Sequence, residues 1–144
     1  MYISHFRSSI FKILSDIRRA QVKIRTSIMR LKALGDKDTA IKLTAMNDIL
    51  ERIALRLETM LILGYVNSEL VKTPLALTYA IEVLKAYTPP DIHYTITITQ
   101  EAIEKLIVDT LRDFPQIPID NLRNEARLVL EEALKNAERA VEKS

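Results

Sequence analysis

A chain of 144 residues is long enough to bury one real core, yet only 6% of it is aromatic and it contains neither Trp nor Cys. The missing thiols exclude disulfides and thiolate metal sites, and two glycines are too few for the tight turns of a sheet-rich fold. The net charge of +2 hides an asymmetry: residues 1–34 carry eight Lys/Arg against one Asp, residues 35–90 six against seven acids, and residues 91–144 seven against eleven. A cationic head favours a polyanionic partner, and an acidic tail in the same chain can compete for it.

The elements follow in chain order. From Ile3 and Phe6 to Leu31 and Leu34, apolar or small residues recur in steps of three and four without a break, and only Ser27 in that series is polar. This predicts one helix of about 33 residues, roughly 50 Å long. Gly35-Asp36-Lys37-Asp38 supplies a C-cap glycine and a helix-starting aspartate. A second seam follows through Leu43, Met46, Leu50, Ile53, Leu57, Met60 and Gly64, and so short a connection between helices of matched period forces an antiparallel hairpin. The second helix is expected to run to about Lys72. There Thr73-Pro74 reads as an N-cap with proline at the first helical position of a third helix, Leu75 to Tyr87. Thr88-Pro89-Pro90 ends that helix. Residues 92–99 alternate Ile or Tyr with His or Thr, the pattern of a strand or of an extended linker. A short helix is expected from Thr99 to about Arg112, then a proline-broken spacer, then a last helix from Asp120 or Asn121 to Glu142. The fold class is all-α, a long antiparallel hairpin with shorter C-terminal helices packed on or linked to it.

Catalytic chemistry finds little support. His5 and His93 are far apart and neither has a carboxylate at metal-ligand spacing. Gly35 and Gly64 make no phosphate-cradling loop. Asp48 and Glu51 share a face, as acidic pairs on solvated helices commonly do, and the Glu-x-x-His of a di-iron bundle is missing. The expectation is a non-enzyme without cofactor, metal or small-molecule substrate. No apolar run approaches the ~18 residues of a membrane span, and the opening residues lack the apolar core of a signal peptide. The expected location is the cytoplasm.

With Ile3 at heptad position a and Phe6 at d, Arg18, Arg25 and Lys32 fall at b and Lys12 and Arg19 at c, one cationic stripe roughly 30 Å long by helical rise. Arg7, Lys23 and Arg30 flank the seam at e and g, within reach of helix-two acids. A solvated face ordinarily mixes signs; here Asp16 alone interrupts eight cations. Arg7, Lys12, Arg18, Arg19, Lys23, Arg25, Arg30 and Lys32 are therefore the candidate membrane-binding residues, each contributing on the order of 1 kcal/mol near an anionic leaflet. DNA phosphates would satisfy the same stripe.

The basic first helix, the tight turn, a second helix carrying ERIALRLETMLILG (51–64) and the continuation VKTPLALTYAIEVLKAY (71–87) resemble the ESCRT-III subunits, above all the archaeal cell-division members. The resemblance spans residues 1 to about 110. It implies subunits that polymerise with themselves and paralogues on membranes, constrict or sever membrane necks, and are remodelled by an AAA ATPase whose small helical domain grips C-terminal motifs. One such motif is an extended strip, apolar-Pro-x-apolar-Pro; Phe114, Pro115, Ile117 and Pro118 fit it. On this reading residues 1–90 form the core and residues 91–144 an acidic regulatory segment that restrains assembly. The protein would sit peripherally on the inner face of the membrane, at the division site or at budding vesicles. The rival is a soluble helical adaptor, or a nonspecific DNA-binding bundle, whose tail is simply core.

Overall fold

A computed structural model describes residues 6–66, 68–111 and 119–143. Five helices account for nearly all of them: α1 (Arg7–Ala33), α2 (Lys37–Leu63), α3 (Ser68–Leu84), α4 (Pro90–Leu111) and α5 (Ile119–Glu142), with a 3-10 turn over Lys85–Tyr87. No strand occurs among the described residues. The fold is all-α.

The hairpin turn is built as its sequence demands. Gly35 takes φ +80°, its N–H donates to the Lys32 carbonyl at 3.1 Å, and the Asp36 N–H donates to Leu31 at 2.9 Å. This paired bonding closes a helix end around a left-handed glycine. Asp36 then caps α2, its carboxylate accepting from the Thr39 N–H at 3.2 Å. Ile10, Ile13, Ile17, Ala20 and Ile24 of α1 are buried against Leu43, Met46, Leu50, Ile53, Leu57 and Met60 of α2. Leu34, by contrast, lies past the helix end and is 75% exposed, so the seam stops one turn short of its expected limit.

Three expectations are corrected. The second helix ends at Leu63, because Gly64 adopts φ +76° and its N–H caps Met60 at 2.9 Å; the glycine is a terminator and not a seam position. The third helix starts at Ser68 and passes through Pro74, which is interior. Burial of Val66, Leu70 and Val71 in the main core holds the turn ahead of the proline, which outweighs the helix penalty of its missing N–H. Residues 92–99 are neither strand nor linker but the first turns of α4. Thr88 is extended (ψ 141°), as a residue before proline prefers, and Pro90 occupies the first helical position. The apparent period of two conceals a helical one: Ile92, Ile96, Ile103 and Ile107 share the buried face. The threonine hydroxyls turn back on the helix, Thr95 Oγ1 donating to Asp91 at 3.2 Å and Thr99 Oγ1 to Thr95 at 2.8 Å.

α1 borders α2 and α4, α3 borders α2 and α4, and α5 lies along α2 and α3. The first four helices thus close into a bundle, with α5 seated outside. One buried cluster draws on all five helices, including Ile92 to Ile107 of α4 and Ala133 and Ala137 of α5. Ile28 and Leu61 pack against that cluster. Fully buried Ile53 offers the direct check of this register. Ile53→Asp puts a carboxylate into the seam at a cost of several kcal/mol, much of the stability of a typical domain. Thermal denaturation followed by circular dichroism should show a collapse of the transition; an unchanged melting curve would contradict the seam.

Candidate functional site

The seam turns one face of α1 inward, so heptad geometry sets what the opposite face presents. Positions b and c are not adjacent on a helix, because f lies between them. The expected single stripe is therefore two rows. Arg7, Arg18, Arg25 and Lys32 run along the edge nearer α2; Lys12, Arg19, Lys23 and Arg30 run along the edge nearer α4. Between them stand Phe11, Val22 and Met29, 51%, 56% and 72% exposed. Sequence reasoning missed Phe11 and Val22, although the register already placed Val22 and Met29 together at f.

The α2 edge is anchored by Arg18. Its Nη1 hydrogen-bonds Glu51 and accompanies a 2.9 Å bond to Gln21 Oε1, while Nη2 reaches Glu58 Oε1 at 2.8 Å. Gln21, almost fully buried, donates from Nε2 to Glu51 Oε2 at 3.0 Å. The Gln21 amide, and next the Arg18 guanidinium, hold the Glu51 carboxyl below the usual carboxylate range. Glu51, followed by Glu58, holds the Arg18 guanidinium still more firmly in its charged form. Thus Arg18, and not Arg7, Lys23 or Arg30, pairs with helix-two acids. For Lys23 and Arg30 the reason is positional: α4, rather than α2, flanks the g side of α1.

On that second edge Lys23 is half-buried and donates to Thr95 Oγ1 of α4 at 3.3 Å. Lys12 stands at a groove of about 170 Å³ beside Lys105 and Asp109, and Arg30 at one of about 200 Å³ beside Asp91. Arg19 approaches Asp16 Oδ1 at 3.5 Å. Asp16, the sole acid of α1, is itself only 8% exposed, and its Oδ2 has no hydrogen-bond partner among the described residues. Arg7, Lys12, Arg19, Arg25 and Arg30 are exposed and Lys32 half-buried; the Arg7 guanidinium lies 5.6 Å from the Phe11 ring centroid. Counter-charge gathers at the two edges, and the outward surface of α1 carries no acid. Such a surface can bind phosphate groups from several side chains at once.

Phe114, Pro115, Ile117 and Pro118 lie outside the described residues. Among those described, no group of three His, Asp or Glu is placed to hold a metal ion, and no helix is long and apolar enough to cross a membrane. His93 Nδ1 sits 3.2 Å from the Lys85 carbonyl. Neither a family model, nor a curated protein, nor a solved structure matches the chain.

The Glu51 cluster makes a pH prediction. Because its folded pKa is depressed from the ordinary 4.5, its stabilisation is fully present above that value and is lost as pH falls through the lower folded value. The carboxylate is 41% exposed, so solvent screening keeps the contribution below about 1 kcal/mol. Urea midpoints measured from pH 6 downward should therefore fall less steeply below pH 4.5 for Glu51→Gln than for the unaltered chain. Parallel curves would remove the pairing from the account.

Proposed function

We propose that this chain is a membrane-remodelling filament subunit of the ESCRT-III kind. It polymerises on anionic membrane surfaces, with itself and with paralogous subunits, for constriction or scission. It acts by assembly and curvature rather than by catalysis, from the cytoplasmic face of the membrane. The observation that carries this reading is the outer face of α1, where cations run the length of the helix and the one acid is turned inward. Leu55 stands open on α2, 53% exposed, and is available for contact between subunits.

Cosedimentation with phosphatidylserine vesicles and, in parallel, with duplex DNA tests this directly, with negative-stain microscopy of the vesicle sample. The expected outcome is filaments or tubes on lipid, with binding that falls steeply with added salt, since exposed charges are screened within ~8 Å at physiological ionic strength. Arg7→Glu/Arg25→Glu/Arg30→Glu should abolish the binding while leaving the melting temperature nearly unchanged, because all three are exposed. Arg18 is left intact in this variant, since reversing it would place two α2 carboxylates against a third. Binding to DNA alone would support the rival bundle.

The reading also assigns Phe114, Pro115, Ile117 and Pro118 to the small helical domain of an AAA ATPase. The prolines preset an extended backbone, and Phe114 and Ile117 offer the apolar anchors. A peptide spanning 110–122 should bind that domain with weak micromolar affinity, about −7 kcal/mol. Calorimetric titration without heat would strike the strip from the site.

A further inference from the structure

The apolar strip on α1 is left more than half exposed by the described residues. Phe11, Val22 and Met29 are exposed on a helix otherwise well packed, and they fall within a narrow arc of its outer face, about 27 Å from first to last. Ser8, Ser15 and Thr26 share that arc and are exposed. Arg7 and Arg25 border it on one side, Lys12, Arg19 and Arg30 on the other, all exposed. We propose that this strip is a shallow insert, which seats Phe11, Val22 and Met29 at the boundary between headgroups and acyl chains of an anionic bilayer while the flanking cations hold lipid phosphates. The inference rests on the membrane reading above and deepens it from electrostatic recruitment to insertion.

Charge complementarity fixes the occupant. A second copy docking the same face would bring cationic rows against each other, and like charges repel across an interface. A polynucleotide would satisfy the cations but leave three apolar side chains against its phosphate backbone. An anionic bilayer satisfies both: long basic side chains bend toward the phosphates from the edges, and the central apolar groups leave water. The surrounding hydroxyls and the single row of apolar residues limit the depth, since only the outermost side chains of a bundle-anchored helix reach beneath the headgroups.

Trp is absent from the chain, so Met29→Trp installs a single reporter at the most exposed point of the strip. The full-length variant is mixed with phosphatidylcholine vesicles with or without phosphatidylserine, and with duplex DNA. Insertion predicts a blue-shifted emission only with the anionic vesicles, quenched by lipids brominated near the top of the acyl chain. Leu128→Trp, 60% exposed on α5, should show neither effect. Val22→Ser/Met29→Ser, confirmed folded by its melting curve, should partition onto anionic vesicles roughly tenfold more weakly. If the reporter protein sediments with anionic vesicles at unshifted emission and the serine variant binds as the parent does, insertion is overturned while electrostatic recruitment stands. If no vesicle is bound, both readings fail together. Binding to DNA alone at unshifted emission transfers the face to nucleic acid.

Discussion

The burial of α2 governs the rest of the molecule. Its neighbours α1, α3 and α5 cover it from three sides, which is why Ala45, Ile49 and Ala54 are as fully buried as the heptad seam itself. With α2 committed on so many faces, α1 can use only its own seam for packing and has a second neighbour, α4, along one edge. The opposite face of α1 is left to solvent by construction. The cationic surface is thus a consequence of where the hairpin places α1, and the residues written onto that surface carry the information about function.

The hairpin was legible in the sequence because two signals agreed there: unbroken three-and-four spacing on both arms, and a glycine followed by a capping aspartate between them. The misread boundaries lie where local signals compete. Gly64 continued the spacing of the second seam, yet only its left-handed conformation shows it to be a cap. Thr73-Pro74 is a respectable helix start in isolation, but the apolar residues before it are needed by the core and pull the start back to Ser68. In residues 92–99 the β-branched residues imitate a strand, while the spacing from Ile92 to Ile96 serves a helix equally well, and the lack of a partner strand decides between them.

The site was legible in composition and not in geometry. Eight cations on one predicted helix are plain from the sequence. That they divide into two rows depends on the f positions, and that Arg18 is engaged depends on Glu51 and Glu58 arriving from another helix. Gln21, at a nominally peripheral e position, is nearly buried; its amide nitrogen ties α1 to α2 by donating to Glu51, while its carbonyl accepts from Arg18 on its own helix. Spacing along one helix cannot show this. The tail, read in the sequence as an acidic segment that can compete for the cationic helix, also supplies Ile96, Ile103 and Ile107 to the common core, with Arg52–Glu132 at 3.3 Å joining α5 to α2. Removing residues 91–144 would therefore strip core from the bundle, and any assembly seen afterwards would report exposed apolar surface as much as lost charge.

The charge pattern of α1 is costly to the fold, which is the strongest reason to read it as functional. Arg18 aside, which pairs with Glu51 and Glu58, the cations crowded on this helix repel each other and lie outside the apolar seam. The chain contains its own comparison: α5 is also a surface helix, and its exposed positions mix Arg123, Arg127, Lys135 and Arg139 with Glu131, Glu132, Glu138 and Glu142, the interspersed arrangement that keeps a surface soluble without a net field. Nothing in helix packing requires α1 to differ. Its acid is turned inward, at the expense of a buried oxygen without a hydrogen-bond partner among the described residues, and three of its outward positions are apolar. A surface that departs from solubility in both respects, on one helix face, is what the proposed contact requires, because an anionic layer with an apolar interior would account for both departures at once.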